Sequence, residues 1–325
     1  MAIIMSKARP LKYGVPQGSV LGPILFTLYI SPLKNIISQF SVNCHFYADD
    51  TQLYCSSSPS NVKTLLSTME NCILNIKDWM NRNKLMLNSD KTEAIIMGST
   101  ASVRQVHDKE INICGVNIQF LDKIKNLGVY FDKNFTMSTQ VNHMIRSMYL
   151  ELRNIAKVRD LIDAQTAARL VVSFVLPRLD YCNSLLAGIS AENVQKLQVV
   201  QNNAARLILK KRKFDSATPM LRSLHWLPVE RRLQYKIALI CQKCMYGTAP
   251  SYLQGMVKAY TPARQLRSSF DTCILVVPRM RLKTVGEKSF SFLAPKVWNS
   301  LPQTIRTLNC ESTFKSKLKT YLFSV

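Results

Sequence analysis

Glycine is scarce, 10 in 325 residues, and acidic side chains are few, 20 against 43 Lys and Arg. With 47 % of the chain hydrophobic, so little glycine excludes a collagen-like, low-complexity or disordered chain. Long apolar runs are also missing. The longest, Val20 to Ile30 and Leu170 to Leu176, are interrupted and fall short of the roughly 18 residues a spanning helix needs. Met1 to Pro10 has no apolar core followed by a small-residue cleavage site, so no secretory signal is expected. Nine cysteines, odd in number and scattered, do not describe a disulfide framework. They fit a reducing compartment, where cysteine serves as a small core residue.

What the chain does have is positive charge, +23 overall. Residues 201–325 hold 22 basic and 5 acidic side chains, leaving the first 200 residues nearly balanced at net +6. Such an excess meets polyanions, because each neutralised phosphate releases counterions. Nucleic acid is the expected class, ahead of membrane surfaces and acidic proteins. The length suits two or three domains, each with its own core.

Two composition shifts organise the chain. Residues 1–135 carry short apolar runs between turn residues, with strands expected at Val42–Tyr47, Gln52–Cys55, Thr92–Met97, Ile111–Ile113 and Asn126–Phe131. Helical spacing marks Gly22–Gln39, opened by Pro23, and Asn61–Asn81, with Ser60 as N-cap. This predicts an α/β or α+β arrangement, and of the two α+β is expected, as a sheet layer covered on one face and followed by helices. From about Ser138 the strand signal largely stops. Thr139–Val158, Ala164–Val175 (closed by Pro177), Ala191–Lys211, Val229–Met245 and Phe314–Phe323 read as successive helices. Thr261–Pro278 is polar and basic, then strand-like over Cys273–Val277.

The sharpest local feature is His45-Phe46-Tyr47-Ala48-Asp49-Asp50-Thr51-Gln52-Leu53. Two adjacent carboxylates stand between two short apolar strands, as at a hairpin tip. With a third carboxylate from a neighbouring strand they would suit Mg²⁺, a hard cation that takes oxygen ligands. Paired metals would clamp the attacking and leaving oxygens of a phosphoryl transfer. Adjacent Asp residues also serve simply as turn formers, and alone the pair does not identify a metal site. Upstream, Gly14-Val15-Pro16-Gln17-Gly18-Ser19-Val20-Leu21-Gly22-Pro23 is a Gly/Pro-controlled loop feeding a helix expected to be buried. Its small residues permit close backbone approach to a nucleotide, and Gln17 offers a donor and an acceptor. Downstream, Leu87-Asn88-Ser89-Asp90-Lys91-Thr92-Glu93 reads as a turn setting Lys91 beside a strand. Separately, these two segments are an ordinary loop-to-helix junction and an ordinary turn.

In this order and spacing the segments resemble the reverse transcriptases of LINE-type (non-LTR) retrotransposons. Gly14–Pro23 resembles that family's motif B, Tyr47–Asp50 its Tyr-Ala-Asp-Asp box, Leu85–Met97 its motif D, and Lys125–Asp132 the hairpin that grips the primer. Leu224–Pro228 and Val297–Pro302 have the look of the family's thumb and C-terminal extension. The resemblance implies RNA-templated DNA synthesis from deoxynucleotides with Mg²⁺, on an RNA template and a DNA primer. Asp49 and Asp50 would be metal ligands, Gln17 and Gly18 template-side contacts, Tyr47 a primer or nucleotide neighbour, and Lys91 the acid for the leaving pyrophosphate. It implies a polymerase palm over 1–135, a helical thumb-like region over 136–215 and a basic, mainly helical extension over 216–325. The palm is partial. The family's first catalytic Asp precedes motif B, and Met1–Tyr13 contains no Asp or Glu, so weak or absent polymerase activity is expected. A non-catalytic nucleic-acid-binding remnant is the alternative.

Three further features carry less. Cys241-Gln242-Lys243-Cys244 has half a zinc spacing but no second pair follows, and it reads as core. His225 beside Trp226 reads as a packed loop corner. Lys210-Lys211-Arg212-Lys213 serves either as a solvated helix end or as a nucleic-acid backbone contact. The chain is expected to be intracellular, in nucleus or cytoplasm, and away from membranes; its oligomeric state is open.

Overall fold

The computed structural model describes residues 14–16, 18–261, 273–282 and 285–325. The expected α+β class is what it shows, and the chain divides into two compact units, Met1–Ile96 with Thr100–Leu121, and Met97–Ser99 with Asp122–Val325.

In the first unit, helices α1 (Gly22–Ile30) and α2 (Leu33–Ser38) replace the single helix expected over Gly22–Gln39. Pro32 supplies no N–H to continue the ladder, and Leu28 O is taken instead by the Ser31 N–H (3.3 Å) and hydroxyl (2.8 Å). The hairpin of β1 (Asn43–Tyr47) and β2 (Asp50–Tyr54) follows. Helix α3 (Val62–Arg82) then begins two residues after Ser60, because Pro59–Asn61 forms a 3₁₀ turn. Its N-cap is Asn61, without a side-chain cap bond. Cys72, Ile73 and Ile76 of α3 recur at helical spacing and are buried. After the short α4 (Thr100–Arg104), β3 (Glu110–Ile113) and β4 (Val116–Gln119) form a second hairpin, which Glu70 ties to α3 by accepting the Asn112 N–H at 2.9 Å.

The second unit opens with the hairpin of β5 (Lys123–Asn126) and β6 (Val129–Asp132). The strand expected across Asn126–Phe131 is thus two strands, turned at Leu127 (φ 45°) and Gly128 (φ 82°). Two successive positive φ values suit the right-handed twist of a two-residue hairpin loop. The Asp132 carboxylate then accepts the Thr136 N–H at 2.8 Å and the Met137 N–H at 2.7 Å, satisfying donors at the entrance to α5 (Ser138–Val158). The helices α6 (Ala164–Phe174), α7 (Leu176–Asp180), α8 (Ala191–Leu209), α9 (Ala217–Ser223), α10 (Val229–Met245), α11 (Ser251–Gln254), α12 (Phe290–Asn299), α13 (Gln303–Arg306) and α14 (Glu311–Ser324) follow. Pro177 does not close α6; it sits in the first turn of α7. Lys210, at φ 49°, ends α8 earlier than the expected Lys211. α5, α6, α8 and α9 surround one core, with Val141, Met148, Val171, Leu197 and Val200 fully buried. α10, α12 and α14 surround another, where Trp298 stacks on Phe314 at 5.8 Å between centroids.

The expected sheet layer does not form among the described residues, which hold three separate two-stranded hairpins. Each hairpin has strands of four or five residues whose alternation leaves one apolar face, and helices cover that face. Thr92–Met97 is not a strand: Ala94 makes only a single parallel bridge to Phe120. Of the strand-like Cys273–Val277, Leu275 bridges Ala259, and much of Thr261–Pro278 lies outside the described residues. No helix among the described residues is long and apolar enough to cross a membrane.

Candidate active site

Alternation along β1 and β2 positions the site. Cys44, Phe46 and Leu53 face inward, packed with Leu33, Ile37 and Val42 on the one side and Cys72 and Ile76 of α3 on the other. The registers His45↔Gln52 and Tyr47↔Asp50 then place these residues, with Tyr54, on the opposite face. Asp49 lies in the two-residue loop beside Ala48, whose φ of 52° is a left-handed conformation that an L side chain adopts at a cost. Asp49 and Asp50 are both exposed, and Tyr47 is 66 % exposed. The pair therefore projects from a packed hairpin, as expected of a tip. His45, Gln52 and Tyr54 share the site face and went unassigned by motif reading, though the period of two along the strand identifies them.

Three thiols lie on the inner side. Burial pushes Cys72 up to about 11, with the neighbouring Cys44 and Cys55 adding to the effect, and burial raises Cys44 and Cys55 themselves. They remain protonated apolar packing at neutral pH.

Gly18 has φ 90° and no heavy atom within 4 Å of where a Cβ would stand, so its requirement for glycine is conformational and the space beside it is open. It sits third in a turn closed by the Ser19 N–H to Pro16 O at 3.1 Å, a place where a positive φ favours glycine. Gln17 lies outside the described residues. The helix that this loop feeds is not buried as expected: Ile24 is 57 % and Leu28 65 % exposed, and in α1 only Ile30 is buried. Lys91 is exposed in a 3₁₀ turn whose entrance the Asn88 side chain caps, accepting the Asp90 N–H at 3.1 Å and the Lys91 N–H at 3.3 Å. Leu85 and Leu87, just before it, pack into the same cores as the hairpin. No hydrogen bond or ion pair joins Lys91 to Asp49 or Asp50 among the described residues.

Among the described residues, no three His, Cys, Asp or Glu side chains gather into a metal-binding group. The two carboxylates alone therefore do not fit a two-metal centre. Cys241 is fully buried within the C-terminal core, where burial raises its thiol, as it does that of Cys244. In the second unit, Lys210 pairs with Asp160 at 2.7 Å, and this contact holds the Asp160 carboxyl below its ordinary range. His225, at φ 55°, turns an exposed corner from which Trp226 goes into the core.

Residues 3–130 match the family model for reverse transcriptase (RNA-dependent DNA polymerase). The chain is 25 % identical over 233 residues to a probable RNA-directed DNA polymerase from transposon BS of Drosophila melanogaster, covering 69 % of this chain and 25 % of that protein. It is 22 % identical over 211 residues to the RNA-directed DNA polymerase from mobile element jockey of Drosophila funebris, covering 62 % and 22 %. A probable RNA-directed DNA polymerase from transposon X-element of Drosophila melanogaster is 23 % identical over 201 residues, covering 60 % and 21 %. The chain thus spans about a quarter of the length of these relatives. No solved structure matches it.

Proposed function

We propose that the chain, similar over residues 3–130 to reverse transcriptases and along much of its length to polymerases of mobile elements, belongs to the reverse transcriptases of LINE-type (non-LTR) retrotransposons and carries part of the machinery for RNA-templated DNA synthesis. The observation that carries the reading is the Asp49–Asp50 pair, exposed at the tip of a hairpin whose inner face is locked onto α2 and α3. In this reading Asp49 and Asp50 would be two of the ligands for Mg²⁺, incomplete without a further carboxylate, Tyr47 would neighbour the primer or nucleotide, Gln17 and Gly18 would meet the template, and Lys91 would be the acid for the leaving group. The segment 1–135 acts as palm, 136–215 as thumb and 216–325 as a basic extension, on an RNA template and a DNA primer inside the cell.

Phosphoryl transfer relies on positioning and on stabilising developing charge, and two carboxylates serve it only in company with a further one. The 325 residues by themselves are therefore expected to polymerise weakly or not at all, since losing one such transition-state interaction costs about 10²- to 10³-fold in rate. Primer extension on an RNA template with Mg²⁺, run beside Asp49→Ala and Asp50→Ala, is the test. Synthesis near background in all three is the expected result. Robust synthesis abolished by Asp49→Ala would show a complete centre and overturn the inactivity while securing the ligand assignment.

The net +17 of residues 201–325 favours a second reading, a basic nucleic-acid-binding protein without catalysis. Even weak extension by the parent chain that Asp49→Ala removes would exclude it.

A further inference from the structure

Phe214 is 92 % exposed, in a segment where every neighbour is polar or charged. A lone surface apolar residue is ordinary, but this one is held out by a built turn. The Asp215 N–H donates to Arg212 O at 3.1 Å, and the Asp215 carboxylate accepts the Arg212 N–H at 2.7 Å. Arg206 braces the turn from α8, donating through Nη2 to Asp215 O at 3.0 Å and through Nη1 to Asn203 Oδ1 at 3.3 Å. Lys213 and Phe214 are left at its tip, with Lys213 Nζ 5.9 Å from the Phe214 ring centre.

The foundation of this corner is equally fixed. Buried Arg159 donates to Leu207 O (2.9 Å) and Ile208 O (2.6 Å), satisfying carbonyls at the end of α8, and to Ile162 O (2.8 Å) beside its own turn. Asp160 neutralises Lys210, and the Asp215 carboxylate is turned onto the Arg212 backbone. Among the described residues, the exposed side chains of Lys211, Arg212 and Lys213 have no acidic partner. The result is an exposed aromatic ring on a hydrogen-bonded turn, beside three cations that form no ion pair among the described residues.

We propose that Phe214 is a stacking platform for one base of single-stranded nucleic acid, with Lys211, Arg212 and Lys213 holding the flanking phosphates. Bases offer a π-face to an aromatic ring whatever their identity, and adjacent cations track the backbone, so the site takes RNA or DNA without sequence preference. This deepens the reading of the chain as a nucleic-acid-handling protein and rests on it.

The test measures binding of the full chain to short fluorescent oligo(U) and oligo(dT), across a salt series. Phe214→Ala weakens binding about 5- to 150-fold, the range set by removing one base–aromatic stack. It does so without changing the salt slope, and Phe214→Trp restores the affinity while Phe214→Leu does not. Combining Lys211→Gln, Arg212→Gln and Lys213→Gln lowers the slope of log affinity against log salt by roughly 2, at about 0.7 per phosphate contact on a single strand. An unfolding midpoint shared by Phe214→Ala and the parent chain confirms that the loss is local. If the parent chain binds and Phe214→Ala binds as well, the platform is refuted and the proposed function stands. If the parent chain binds neither oligonucleotide, the platform and the functional reading fail together. If Phe214→Ala instead loses affinity only for phosphatidylserine vesicles, the corner contacts lipid and the proposal is overturned.

Discussion

Single residues of this chain are tuned by their neighbours to different ends. Cys310 is exposed at the start of α14, where hydrogen bonds from the Ser312 hydroxyl (3.2 Å) and then the Thr313 N–H lower its thiol to about 7. The thiolate is the nucleophile, so its fraction rises as pH climbs through that value. Alkylation followed by peptide mass should therefore label Cys310 first among the cysteines, with half-maximal rate near pH 7. Labelling of Cys241 or Cys72 ahead of it in the folded protein would contradict this. Arg159 is the opposite case, a buried cation whose three hydrogen bonds all go to backbone carbonyls. Arg159→Leu leaves those acceptors bare and should cost about 2–4 kcal/mol in urea unfolding. A loss within about 0.5 kcal/mol would mean that solvent satisfies the end of α8.

At the scale of elements, the β1–β2 hairpin separates the requirements of folding from those of the site. Its inner residues enter the core and its outer face carries Tyr47 and Asp50. Asp49→Asn and Asp50→Asn should leave stability within about ±0.5 kcal/mol, because neither side chain packs against anything. Ala48→Gly should raise it by about 0.5–1 kcal/mol, since glycine removes the left-handed penalty at φ 52° and returns part of the gain as unfolded-state entropy. Chemical denaturation of the two kinds of variant checks both expectations. The hairpin and the carboxylates at its tip were legible in the sequence, because Asp49 and Asp50 interrupt two short apolar runs. The break between α1 and α2 was legible only in hindsight, since Pro32 is tolerated in a first helical turn as readily as it ends a helix. The thinness of the sheet was not legible at all. Alternation tells which face of a strand is apolar but not whether a helix or another strand will cover it.

For the molecule as a whole, two compact units with separate cores imply separable unfolding. Trp298 is fully buried and donates Nε1 to Cys273 O at 2.7 Å. Trp298→Ala should cost about 3–5 kcal/mol and shift a calorimetric transition that Ile76→Ala leaves in place. One transition moved equally by both would mean that the units melt together. Charge acts at this scale too, through the balance of 22 basic and 5 acidic side chains over residues 201–325.

Composition, charge and the spacing of motifs were sufficient to establish the family resemblance, the α+β class, most of the long helices and the acidic hairpin tip. These are short-range properties, written in periodicity and in the residues that flank a turn. Only the tertiary structure decided that the strands pair as three two-stranded sheets and not as one layer, that α1 lies open, and that Lys210 is neutralised by Asp160 while Lys211 to Lys213 are not. The reason is that a side chain's burial and its charge partner depend on residues far away in sequence. The 50 positions separating Asp160 from Lys210 leave no trace in any local pattern.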